Sequence, residues 1–188
     1  DDKFIEGDEG FSSVITDIKG GGTVDPDKAI AESKIEDNDI AEAHVVFCDK
    51  DGNILTPDQL HAQEGHDDIY VKVVLTVVGG DPTKDADRLE LGNGSATFKL
   101  TPGGNATAGT DFVMDKSSLT VPGGKSESAP MKIKLPDDFQ SEGPEKLSFK
   151  AEATDAISKA HYPDGFVQPA GSSEMTIDDY IDGPKILA

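Results

Sequence analysis

Seven short runs of alternating or β-branched residues, each stopped by glycine or proline, leave this chain little room for helix. They are Ser12–Thr16, Val45–Phe47, Ile69–Val78, Ala96–Leu100, Ser118–Val121, Met131–Leu135 and Lys146–Ala151. Twenty glycines and 11 prolines supply the breaks, and each break ends a segment before a helical period can establish itself. In one run Met131, Ile133 and Leu135 face one way while Lys132 and Lys134 face the other. That alternation predicts a half-buried antiparallel strand. Helix is limited to a turn or two over residues 57–63, where Pro57 suits a first helical position. Short strands at this spacing predict an all-β protein, a β-sandwich.

Charge then restricts the partners. Lys and Arg number 17 against 37 Asp and Glu, a formal net charge of −20 over 188 residues. A nucleic-acid binder needs a basic face to neutralise phosphates, and a protein held on anionic lipid needs one too. Neither is available here. The most apolar run, Ile69–Val78, carries Lys72 and falls well short of the roughly 20 residues of a spanning helix. A compact fold at this charge repels itself unless counter-charge binds. Asp outnumbers Glu by 25 to 12, which suits oxygen-rich loop sites for calcium; the other reading is a very soluble surface. The single Cys48 excludes an internal disulfide and a cysteine-built zinc site. Its apolar surroundings, His44–Phe47, predict a buried core thiol.

The chain also repeats itself. Residues 1–12 and 137–148 align without a gap at an offset of 136, and six of twelve positions are identical. Asp1, Asp2, Glu6, Gly7, Glu9 and Ser12 recur as Asp137, Asp138, Glu142, Gly143, Glu145 and Ser148. Ile35-Glu36-Asp37 is echoed by Ile177-Asp178-Asp179 at an offset of 142.

These motifs resemble the Calx-β repeat over most of residues 62–182, with the tail of a preceding unit in 1–39. Glu64-Gly65 resembles the family's opening Glu, and Ala106–Phe112 its Ala-x-Ala-Gly-Ser-Asp-Tyr signature. Leu119–Ser126 resembles the strand and Pro-Gly turn that follow. Asp137–Glu145 resembles the Asp-x-x-x-Glu-Gly-Asp-Glu motif, with Pro144 in place of the usual acid, and Thr176–Asp179 the closing Ile-Asp-Asp. The segments Gly79–Gly94 and His161–Gly171 are longer than the family usually has. The resemblance implies a two-sheet Greek-key β-sandwich (Calx-β/Ig-like) with long loops at a calcium-binding end. It implies Glu64, Asp111, Asp138, Glu142, Asp178 and Asp179 as calcium ligands. Half a sandwich would expose strand edges, so residues 1–39 are expected to pack with the main unit, 40–188, as a single enlarged sandwich spanning 1–188.

Other motifs are weaker. Asp49-Lys50-Asp51-Gly52-Asn53 begins like an EF-hand loop, but Ile54 replaces the sharp-turn Gly and Leu60 the bidentate Glu,. Asp-Gly-Asn between apolar runs predicts a hairpin turn instead. The four histidines (His44, His61, His66, His161) make no His-Glu-x-x-His pair, and no Gly-x-Ser-x-Gly elbow or phosphate loop occurs,. The expectation is a binding module and not an enzyme. The resemblance extends to the large RTX adhesins of bacterial surfaces, whose peptide-binding domain recognises a free C-terminus. It implies an extracellular adhesion module that takes Ca2+, meets a peptide or protein of another cell surface and adjoins neighbouring adhesin domains. The alternative is a calcium-stiffened spacer with no ligand of its own.

Overall fold

The structure, a computed structural model, describes residues 4–5, 9–35, 40–92, 94–154 and 166–180. Two five-stranded sheets make the sandwich. The first runs β10 (Ser118–Val121), β8 (Ala96–Gly104), β12 (Glu145–Ala153), β14 (Glu174–Asp178) and β5 (His61–Gln63). The second runs β13 (Phe166–Val167), β4 (Ala41–Cys48), β6 (Asp68–Val77), β11 (Met131–Lys134) and β9 (Val113–Met114). Non-consecutive strands are neighbours in both sheets, as a Greek key requires. All seven apolar runs form strands. The sheets meet through alternate side chains, with Ala41, Ala43, Val45 and Phe47 of β4 set against Leu147, Phe149 and Ala151 of β12. Phe47 and Phe149 lie 6.2 Å apart between ring centroids.

Two features depart from the half-exposed strand pattern. Lys72 and Thr76 of β6 and Glu42 of β4 occupy outward positions yet are buried. Arg88 bridges to Thr76 and Glu127 to Val74 along the edge of β6, which brings both side chains to this outer face. Arg88, the only arginine, and Lys72 both donate to Glu127 Oε2, at 2.8 and 2.7 Å. Arg88 also donates to the Pro82 carbonyl at 3.2 and 3.1 Å. A lysine 3 % exposed is tolerable only with such a partner,. This is why the apolar run of β6 is nearly continuous: the strand is covered on both faces.

The second departure concerns residues 57–63. Only Pro57–Gln59 turn as a 3-10 helix, with Pro57 at its start. Residues 61–63 are strand β5, because the free edge of β14 accepts them in parallel register, Thr176 beside His61 and Asp178 beside Gln63.

The segment before β4 divides in two. β1 (Phe4–Ile5) pairs in parallel with β7 (Glu90–Leu91), and Ile5 is buried in the core. β2 (Glu9–Val14) and β3 (Ile30–Ile35) form a two-stranded sheet of their own, with every residue of both strands exposed.

Asp49–Asn53 is the hairpin turn that its sequence predicts. Asp49 Oδ1 accepts the Asp51 and Asn53 N–H groups, each at 2.9 Å, and Gly52 holds φ at +91°. The carboxylate of Asp49 is thus occupied by its own loop. Cys48 is buried, and burial pushes its thiol up to about 11. His44 sits in β4, half-buried, with Nε2 2.9 Å from Thr76 Oγ1 and 3.3 Å from Glu42. Burial holds its imidazole below the usual value.

Candidate metal centre

Strand register gathers the acids at one end of the sandwich. β12 starts at Glu145, which lies across from Ile177 in antiparallel β14. β14 in turn runs parallel to β5. The ends of β14 and β5 and the start of β12 therefore coincide, and Glu64, Glu145 and Asp179 meet there. Gly65 makes the close turn after β5 possible. Its φ is +66°, its N–H donates to the Leu135 carbonyl at 2.9 Å, and a Cβ on it would lie 2.8 Å from Asp137 Cβ. Only glycine fits both restraints.

Asp111 arrives from the loop between β8 and β9. Its N–H donates to the Thr107 carbonyl at 2.9 Å, its Oδ2 accepts the Thr107 N–H, and Gly109 turns the chain at φ +91°. Phe112, the next residue, is buried and packs edge-on against Phe149. Burying a side chain of that size contributes about 1.5–3 kcal/mol, and an aromatic pair about 0.5–1.5 kcal/mol more. That gain offsets only part of the cost of holding the adjoining carboxylate in a dry position, since an ionised carboxylate costs more to bury than any neutral polar group. Asp111 is 1 % exposed, and its Oδ1 has no hydrogen-bond partner.

Around the Asp111 carboxylate stand four more. Glu64, Asp111 and Glu145 have oxygens within 4.8 Å of one another, as do Asp111, Asp138 and Glu142. Asp111 belongs to both groups. Burial, then the nearby charges of Asp111, Asp138, Asp179 and Asp137, pushes Glu64 up to about 7. Burial and the Asp111 carboxyl push Glu145 up to about 7 as well. Glu142 is raised in the same direction by burial and by Asp138. No lysine or arginine is among the groups that shift these three. Like charges held together without a counter-ion raise each other's pKa. A hard cation with oxygen ligands removes that conflict, and five carboxylates with one bare buried oxygen match what calcium takes.

The six residues expected from sequence do not all contribute alike. Glu64, Asp111, Asp138 and Glu142 converge. Asp179 is close enough to raise Glu64 and Glu142, but its carboxylate accepts the Glu142 and Gly143 N–H groups, at 2.5 and 2.8 Å. It anchors the loop that carries Glu142. Asp178 supplies its backbone carbonyl to the Glu64 N–H at 3.1 Å, and its side chain is in neither group. Glu145 was missed, although its recurrence at Glu9 in the internal repeat was a signal. Asp115 faces Lys134 at 3.7 Å instead. Asp155, Asp164, Asp182, His161 and the acids of 1–3, 6–8 and 36–39 lie outside the described residues.

No family model matches the chain, and no curated protein does. Among solved structures it is similar to the apo-form Calx CBD1 domain, at 18 % identity and a TM-score of 0.47, over 76 % of this chain and 100 % of that one. It is also similar to CBD12 from CALX1.2, at 20 % identity and a TM-score of 0.41, over 63 % of this chain and 41 % of that one.

Proposed function

We propose that this protein is a calcium-binding β-sandwich module. The observation that carries the reading is the Asp111 carboxylate, whose Oδ1 is buried without a partner and which is shared between two groups of three carboxylates. Glu64, Asp111 and Glu145 would hold one ion, and Asp111, Asp138 and Glu142 a second, with Asp111 between them. Calcium supplies the positive charge that the cluster lacks and ties together loops that otherwise repel. Titration calorimetry of the metal-free protein with CaCl2 tests this. Saturable binding of about two ions, lost in Asp111→Asn, supports the proposal. No heat at millimolar calcium defeats it.

The finer reading is an extracellular adhesion module of a bacterial surface that recognises a peptide or protein C-terminus. Its support is that the second group opens outward, since Asp138 is half-buried and Glu142 exposed. An ion there keeps coordination positions towards solvent, and a ligand carboxylate can fill one despite the acidic surface. Peptides with free or amidated C-termini, tested in calcium and in chelator, separate the alternatives. Binding of free C-termini only, and only with calcium, supports recognition. No binding in either buffer favours a calcium-stiffened spacer.

A further inference from the structure

The outer edge of β4 is paired at both ends and open between them. In β6 the Val73 carbonyl accepts the Ser128 N–H at 2.9 Å, and the Leu75 N–H donates to the Ser126 carbonyl at 2.8 Å. Odd residues of β6 therefore bond away from β4, and its even residues bond towards it. Their partners in β4 are also even, with His44 opposite Val74 and Val46 opposite Lys72. The main-chain groups of Ala41, Ala43, Val45 and Phe47 point to the outer edge. β13 pairs with the start of that edge, in parallel over Ala41 and Glu42. At the other end the Leu55 N–H donates to the Phe47 carbonyl at 3.0 Å.

The sequence stops β13 from going further. At the same register the N–H of residue 169 would meet the Ala43 carbonyl, but residue 169 is Pro and has no N–H,. The Gln168 side chain donates instead to the Ala151 carbonyl of β12 in the other sheet. The Ala43 carbonyl and both main-chain groups of Val45 are left without a partner among the described residues. Ala43 and Val45 are 1 and 5 % exposed, and they line a cavity of about 400 Å³. Main-chain groups at such depth need a partner, from protein, water or ligand. Leu55, Leu60 and Phe149 give the cavity an apolar side. Among the described residues no Asp or Glu lines it, in a chain of net charge −20. Lys150 lines it, and its ammonium makes no ion pair with a described residue.

We propose that this gap binds a short extended stretch of another polypeptide, added as a strand along Ala43–Val45, with an apolar side chain between the sheets and an acidic one towards Lys150. Strand addition supplies the groups that are missing, an N–H for the Ala43 carbonyl and a carbonyl and N–H for Val45. The open edge covers only residues 43–46, about 13 Å at roughly 3.3 Å per residue, so the occupant is a few residues and not a long strand. None of the cavity's residues belongs to the acid cluster. The site is therefore separate from the candidate metal centre and does not depend on calcium.

The test uses the whole chain and an array of acetylated, amidated pentapeptides, which have no free terminus. Each has Val, Leu or Phe at its centre, Thr on either side and Glu or Lys at both ends. Binding is measured by fluorescence polarisation in chelator and in calcium. The Glu-ended peptides should bind, and binding should persist in chelator. N-methylation of the central peptide amides should weaken it by roughly 10-fold or more. Lys150→Glu should reverse the preference between Glu and Lys ends. At saturation, exchange of the Val45 amide should slow by roughly 10-fold or more, while that of Val46, already bonded to β6, stays as it was. No binding across the array, indifference to N-methylation, or protection that spares Val45 overturns the proposal. Binding in calcium alone overturns it too, since that would place the peptide at the acid cluster.

Discussion

The Asp179 carboxylate accepts the Gly143 N–H at 2.8 Å, 36 residues away in the chain. With the Glu142 N–H on the same oxygen, this contact ties the end of β14 to the loop that presents Asp138 and Glu142. Hydrogen bonds to a charged acceptor contribute about 1.5–3 kcal/mol each. Asp179→Ala should therefore lower calcium affinity by roughly 10- to 100-fold, the range for losing a group that supports a ligand. Asp179→Asn keeps an acceptor oxygen and should cost less. Titration calorimetry on the two variants checks the order.

Asp111→Asn should separate stability from binding. It removes a buried charge while an amide oxygen can still accept the Thr107 N–H. In chelator the variant should be more stable than the parent, by about 1–3 kcal/mol. In calcium the order should reverse, because affinity falls by roughly 100-fold or more, beyond what loss of a supporting group costs. Urea unfolding in both buffers is the measurement. A variant less stable than the parent in chelator would show that Oδ1 is not under strain.

Calcium stabilisation should grow with pH. Glu64 and Glu145 are held near 7 in the metal-free protein, above an ordinary value of 4.5. Between those values the folded state binds protons that the unfolded chain does not. The contribution of these groups to stability is full below about pH 4.5 and is lost as pH rises through about 7. Calcium must displace the same protons. The difference in Tm between calcium and chelator should widen from pH 5 to pH 8. His44, whose pKa is lowered, acts with the opposite sign over the acid half of that window. It is common to both buffers and cancels in the difference.

Glu127→Ala should damage the fold and spare the acid cluster. It leaves Lys72 buried without its 2.7 Å partner and frees Arg88 from the outer face. Removing one member of a buried pair costs about 3–5 kcal/mol. Glu127 is itself about one-third exposed, so about 2–4 kcal/mol is expected here. Lys72→Met, which removes the buried charge, should cost clearly less. Chemical denaturation ranks the two, and calcium affinity should be unchanged in both.

The strands were legible because their signal is local. Alternation in Met131–Leu135, the near-continuous apolar run of β6 and the Asp49–Asn53 turn each depend on neighbours a few residues away. The acids of the centre were legible in part, through motifs around Glu64, Asp111, Asp138 and Glu142. β5 was hidden, since three residues after a 3-10 turn become strand only when the edge of β14 is beside them. Burial of Lys72 was hidden too, since it depends on Glu127 and Arg88, which segments distant in sequence place beside β6.

The sequence by itself determined an all-β chain with carboxylates concentrated in particular loops. Only the tertiary structure decided which carboxylates meet. Glu145 joins because antiparallel register sets it opposite Ile177. Asp179 is drawn into anchoring a loop, and the Asp178 side chain is left outside both groups. A residue's type and spacing are properties of the chain. Its desolvation and the charges it faces come from segments distant in sequence, and these are what make a carboxylate at this end of the sandwich a candidate ligand and not a solvated turn residue.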